Sequence, residues 1–325
     1  MKPYVNRKKF SDCISLFLLF AAAILLLTFN GAKNSFTQGL KLWYACVLPT
    51  LFPYLFITAA ISENSAATRL FNKLSPLSEK LFNVNGNGLY AFFISAVSGY
   101  PIGAKTVADL YKGGAFNNAE NTRAAAFCST SSPVFTIVAV GSAMFNNVKL
   151  GILLFLTHII SAITVGVIFS FYKRKDKPNK SFTLKPQKSA NFLYECAEKS
   201  VLTVLVVGGI MAVFYVITDF FSIALSPVVN GLCLAVNDQN IGKGIFFAFF
   251  ECTKGLKFIS SAGITYFTLP LCAAICGFGG LSVIVQSLAF LKSAKIKTAV
   301  FVFAKLLTAV INFIIGLILS PLLFV

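Results

Sequence analysis

Uncharged apolar runs alternate along the chain with short segments rich in charge, glycine or proline. Seven stretches predict membrane-spanning helices: Cys13 to Ala32, Leu42 to Ser62, Ala124 to Val148, Leu150 to Tyr172, Ser200 to Thr218, Thr265 to Leu291 and Thr298 to Val325. About 20 mainly apolar residues are needed to cross a hydrocarbon core of about 30 Å. The expected fold is therefore an all-α polytopic membrane protein. Pro49 and Pro53 predict a kink in the second span, because each removes a helical hydrogen bond. Residues 63–85 place Leu70, Phe71, Leu74, Leu77, Leu81 and Phe82 at helical spacing between charges, the pattern of an interfacial segment. Phe220 to Val236 reads as a short span or a second interfacial segment.

Two interruptions do not suit a plain spanning helix. Ser98-Gly99-Tyr100-Pro101-Ile102-Gly103-Ala104-Lys105 and Phe127-Cys128-Ser129-Thr130-Ser131-Ser132-Pro133 put Gly, Pro, Ser and Thr among apolar residues. A broken backbone is tolerated at membrane depth only where protein or a wet cavity satisfies its freed N–H and C=O groups. Later breaks stand at Glu251 to Gly255 and Gly277 to Gly280. Residues 89–104 are short for a crossing and read as a re-entrant hairpin that opens to the cytoplasm.

Charge fixes the expected orientation. Residues 173–190 carry seven Lys or Arg against one Asp, which marks a cytoplasmic linker between halves, and Lys292, Lys295 and Lys297 mark a second cytoplasmic turn. The net charge of +17 gathers at span ends, so lipid and the positive-inside rule account for it and nucleic acid is not an expected partner. Shifting the chain by about 150 residues sets Leu74-Ser75-Pro76 against Leu225-Ser226-Pro227 and the Ser98 break against the Glu251 break. The organisation expected is residues 1–39, a basic segment with a first helix; 40–172, a first repeat; 173–190, the linker; and 191–325, a second repeat of inverted orientation. Inverted repeats with a broken hairpin in each are an architecture of alternating access.

The eight cysteines lie in or beside apolar segments at no metal-ligand spacing. No phosphate-binding glycine loop, His-Glu-x-x-His or nucleophile elbow occurs, so neither an enzyme nor a cofactor is expected.

Ser98-Gly99-Tyr100-Pro101-x-Gly103-Ala104-Lys105, Phe127-Cys128 with Ser132-Pro133, Gly141 with Met144-Phe145, and Gly277-Phe278-Gly279-Gly280-Leu281-Ser282 with Gln286 resemble the YlbJ family of sporulation integral membrane proteins. The resemblance covers roughly residues 40 to 322. It departs at Ser129, where Asn is expected, and at Ile284-Val285 before the final Gln region. It implies two copies of a nucleoside-recognition or Gate domain, similar to the re-entrant core of concentrative nucleoside transporters. It also implies a place in the mother-cell-derived membrane around the forespore, and dipicolinate as cargo.

An aromatic dianion needs donors or cations in a medium of low dielectric. The candidate substrate-binding residues are Ser98, Gly99, Tyr100, Pro101, Gly103, Lys105, Ser129, Thr130, Ser131, Ser132, Glu251, Thr253, Lys254, Gly277, Gly279, Gly280 and Gln286. Lys105 and Lys254 are the cations expected nearest the ligand. Glu251, beyond a run of phenylalanines, is either a coupling acid or the ion-pair partner of Lys254. His158 is expected to bond between helices, and Lys305 to pack and snorkel. The function expected is carriage of a small organic anion, with a sporulation scaffold or a nucleoside-type carrier as alternatives. The partners expected are that anion, the lipid bilayer, and either a homo-oligomer or other sporulation membrane proteins.

Overall fold

Capping residues cut the apolar runs into helices. In the computed structural model, which describes residues 29–62, 65–179 and 191–324, helix α1 (Ala32–Leu42) passes through one π-helical turn, Trp43–Val47, into α2 (Leu48–Ser62). The two arms of this pair meet at 59° beside Pro49, with Pro53 inside α2. The interfacial segment forms two short helices, α3 (Ser65–Lys73) and α4 (Ser75–Phe82). Most of the first predicted span, and residues 180–190 of the linker, lie outside the described residues.

Next come α5 (Gly86–Ser98) and α6 (Ile102–Lys112), then α7 (Asn118–Phe127), an unwound stretch, and a π-helical segment, Val134–Met144. The span α8 (Val148–Phe169) completes this half. The expected span Ala124 to Val148 is thus broken in its first third. The second half opens with α9 (Phe192–Ala224), whose 33 residues outrun a 30 Å core, and the short α10 (Ser226–Val236). Phe220 to Val236 is therefore not one segment: its first residues extend α9. Helices α11 (Gln239–Phe250), α12 (Cys252–Ser260), α13 (Thr268–Phe278), α14 (Gly280–Leu291) and α15 (Thr298–Leu319) follow.

Four stretches, Val148–Phe169, Phe192–Ala224, Thr268–Ala294 and Thr298–Leu323, are long and apolar enough to cross a membrane, and the bent α1–α2 pair makes a fifth among the described residues. The chain is an all-α, multi-pass membrane protein. Thr268–Ala294 is 72% buried and Thr298–Leu323 only 22%, which places the first inside the bundle and the second at its lipid-facing edge.

The order of elements recurs about 150 residues apart. Helices α4 and α10 each start after a leucine, at Leu74 and Leu225, with proline in the first turn, and each ends on a left-handed asparagine, Asn83 or Asn237. A side-chain cap then starts a hairpin: Asn85 accepts from the Asn87 N–H before α5, and Asp238 accepts from the Ile241 N–H before α11. Both hairpins close on glycine. A Cβ on Gly103 would collide with Ser95 and the Cys128 carbonyl, and one on Gly255 with Ala248.

The two hairpins open to opposite ends of the bundle. Around the open end of α5–α6, the buried Arg123 guanidinium donates to the carbonyls of Tyr172 (2.9 Å), Asn83 (2.7 Å), Lys173 (2.6 Å) and Asp176 (3.0 Å). Glu120 accepts the N–H groups of Asn85, Asn117 and Asn179. Burial pushes its carboxyl above the usual range, against the pull of those three donors and of Arg123. The Asn121 amide reaches the Ala294 carbonyl, so the second basic turn lies at this same end. At the far end Ser320 donates to the Tyr266 carbonyl, between the last span and the α12–α13 connection.

Replacing Arg123 with Lys leaves carbonyls that one ammonium cannot span. The variant is expected to lose about 2–3 kcal/mol, seen as a lower Tm in detergent. Gly255→Ala forces a methyl onto Ala248 and is expected to cost about 1–3 kcal/mol. Gly209→Ala on α9, where a Cβ meets nothing within 4 Å, is the control and leaves Tm unchanged or raised.

Candidate functional site

Each break in the helices has a local chemical cause. At the first tip Gly99 adopts φ +80° and Pro101 has no N–H to continue the ladder, so α5 ends at Ser98. At the second, Glu251 is extended and its carboxylate accepts the Lys254 N–H at 2.7 Å, ending α11 and capping α12. Gly279 and Gly280, with φ +80° and +78°, break the long inner span, and a Cβ added to Gly280 would lie 3.1 Å from both the Phe250 carbonyl oxygen and the Cys252 nitrogen. No side chain fits between that break and the second tip.

The Cys128 N–H still closes α7 on the Ala124 carbonyl and the Ser132 carbonyl accepts the Thr136 N–H, but the residues between them take their hydrogen bonds from neighbours. The Thr130 N–H donates to Ser95 Oγ (3.0 Å), and the two hydroxyls share a bond of 2.8 Å. The Ser131 N–H donates to His158 Nε2 (2.9 Å), and Ser131 Oγ donates to the Tyr100 hydroxyl (2.9 Å). The Ser129 carbonyl accepts from Lys305 Nζ (3.1 Å), whose ammonium lies 5.2 Å from the centre of the Tyr100 ring. His158 Nδ1 faces the Asn312 amide at 3.3 Å, and Ser161 Oγ bonds the far side of that amide.

These breaks converge. One cavity of about 70 Å³ is lined by Ser98, Gly99 and Tyr100 of the first tip, Ser131 and Ser132 of the unwound stretch, Glu251 and Thr253 of the second tip, and Gln286 of α14. Val47, Leu51, Val207 and Met211 supply an apolar wall from α2, its π-helical turn and α9. The Ser98 hydroxyl is fully buried and has no hydrogen-bond partner in the structure. A buried hydroxyl without a partner costs free energy that a bound molecule could recover.

The other candidates stand behind this wall or elsewhere. Pro101 starts α6 and Gly103 closes the hairpin. Ser129 and Thr130 are buried behind the cavity, and Gly277 lets α13 approach Asn312 and Ala309 of α15. Gly279 and Gly280 shape the third break. The two expected cations do not line the cavity. Lys105 faces a separate chamber with Asp109 and Lys199. Lys254 turns its side chain away to pair with Asp219 (2.5 Å), so Asp219 rather than Glu251 is its ion-pair partner. The cation nearest the cavity's inner wall is Lys305, which does not snorkel: it is 1% exposed and held under Tyr100. A signal for it exists in the sequence. Lys305, Thr308 and Asn312 recur at helical spacing and form a polar stripe in an otherwise apolar span; all three are buried.

No family model matches the chain, and no solved structure does. It is similar to the sporulation integral membrane protein YlbJ of Bacillus subtilis (strain 168), with 27% identity over 324 residues that take in 91% of this chain and 79% of that one. Similarity along nearly the whole length agrees with the order of the motifs: the chain resembles a sporulation integral membrane protein of the YlbJ type.

Proposed function

We propose that the chain is a carrier of a small organic anion, working in the membrane that the mother cell places around the forespore. The observation that carries this reading is the meeting of two oppositely directed hairpin tips at one cavity inside a bundle of spanning helices. Tips that enter from opposite ends let either side of the bundle reach the cavity in turn, without the other side opening. Hydroxyl donors at Ser98 and Ser132 and the Lys305 charge behind Tyr100 suit carboxylate oxygens. Dipicolinate is the member of that class that the family resemblance implies.

The cavity has room for a few water molecules, so an aromatic dicarboxylate fits only when the walls part. Glu251 gives the reading its coupling. Its carboxylate occupies the start of α12, a position that favours any anion. Two negative groups cannot share that position cheaply. A proton or cation that neutralises Glu251 therefore admits the substrate, and transport is coupled to that ion.

In proteoliposomes, saturable uptake of labelled dipicolinate is expected. Ser98→Leu, which fills the cavity, is expected to reduce it at least tenfold while Tm is kept. Loss of spore dipicolinate with this variant, in cells that still complete assembly of the spore, agrees with a carrier; normal spores would support a scaffold instead. Glu251→Gln is expected to retain exchange of labelled for unlabelled substrate while losing acceleration by an imposed ion gradient. Acceleration that persists in this variant would assign the coupling elsewhere.

A further inference from the structure

The seam between the α1–α2 pair and α9 holds three separate spaces, the central cavity and one on either side of it. Along α9, Ser200 and Thr203 line a chamber of about 210 Å³, Val207 and Met211 line the cavity, and Tyr215 lines a second chamber of about 560 Å³. The facing helices repeat the order, with Thr58, then Leu51, then Leu42. Three spaces thus lie in file over about 22 Å, at 1.5 Å for each residue of α9. The central one is the smallest.

The largest chamber, at the end away from the basic linker, is distinctly cationic. Lys41, Lys254 and Lys257 line it and no acid does. Lys254 links chamber and tip: its N–H donates to the capping carboxylate of Glu251, while its side chain lines the chamber. There its ammonium meets Asp219 at 2.5 Å and lies 4.7 Å and 4.9 Å from the ring centres of Tyr215 and Phe247. The Asp219 side chain is 27% exposed against 6% for Lys254, so the carboxylate is the more accessible member of the pair. An incoming carboxylate has the same charge and donor requirements as Asp219. It can take that place without leaving the ammonium unpaired, which is what a buried cation demands.

We propose that this chamber is a second binding site for small carboxylate anions, in which Lys254 is the contact residue and Asp219 holds it until an anion takes over. The site rests on the reading of the central cavity as the transport site, and it gives that path a station at one mouth. Lys41 and Lys257 gather anions there, and exchange at Lys254 hands them to or from the tip. When the chamber is empty, the ion pair fastens α12 to α9 and the path stays shut.

The test is equilibrium dialysis of labelled pyridine-2,6-dicarboxylate against the purified full chain. Two sites per chain are expected. Lys254→Gln removes one, Ser98→Leu removes the other, and Asp219→Asn tightens the chamber site about tenfold by deleting the competitor. A single wild-type site that Lys254→Gln leaves intact overturns the proposal, and so does an Asp219→Asn variant with unchanged affinity. The exchanged pair, Lys254→Asp with Asp219→Lys, regains Tm but not the site; recovery of both would make the lysine purely structural. The native thiol of Cys46, in the chamber lining, locates the site in a Cys13→Ser, Cys233→Ser background. An anionic methanethiosulfonate should modify it faster than a cationic one, with the bias reduced in Lys41→Gln and Lys257→Gln, and the dicarboxylate should protect it. Protection by phosphatidylglycerol vesicles alone would assign the chamber to lipid, and a thiol that no reagent reaches would show it closed to solutes; either sinks the idea. Chamber binding without uptake would leave this site standing and remove the transport reading, and uptake with one site would do the reverse.

Discussion

A peptide group in hydrocarbon has no water to turn to, so wherever a helix in this bundle stops short, its unpaired N–H and C=O groups must find protein partners. The breaks satisfy one another. The unwound stretch lends its Thr130 N–H to Ser95 of the first hairpin and its Ser131 N–H to His158, while its Ser129 carbonyl takes Lys305. The second tip caps itself through Glu251 and is covered by the glycine break at Gly280. Each interruption is stable only because another lies beside it. That mutual dependence gathers the polar chemistry of an apolar chain at one depth.

The same constraint explains the recurrence of elements in the two halves. A Leu-Ser-Pro start, a left-handed asparagine end, a side-chain cap and a glycine-closed hairpin form one unit of backbone bookkeeping. The two units differ where chemistry is placed. The first tip is uncharged, with Ser98 and Tyr100, whereas the second carries Glu251 and Lys254. A shared backbone plan with unlike tips gives the cavity two chemically distinct lips.

Much of this was legible in the sequence, and the illegible part has a definite physical origin. Spans follow from hydropathy, and tips from Gly, Pro and Ser in apolar surroundings, because those signals are local. The direction of a long side chain is not local. Lys105 and Lys254 follow the tips in sequence but point into chambers on either side, since a helix turns its residues by about 100° at each step. The cation that reaches the unwound stretch comes from Lys305, 176 residues beyond its partner. Asp219 likewise meets Lys254 across 35 residues. His158 and Asn312 were each visible as polar residues within spans, but their pairing across 154 residues is a product of packing.

The π-helical turn at Trp43–Val47 holds one more consequence. At its start the Trp43 indole lies against Gly208, with Nε1 donating to the Val204 carbonyl at 3.2 Å. This is the single tryptophan of the chain, and it sits one turn from Val47 and beside Val207, both on the wall of the central cavity. The unaltered protein thus contains its own fluorophore at the seam between α9 and the α1–α2 pair. Any motion that parts this seam breaks that hydrogen bond and changes the surroundings of the indole nitrogen, so the colour of its emission records whether the two elements are together or apart.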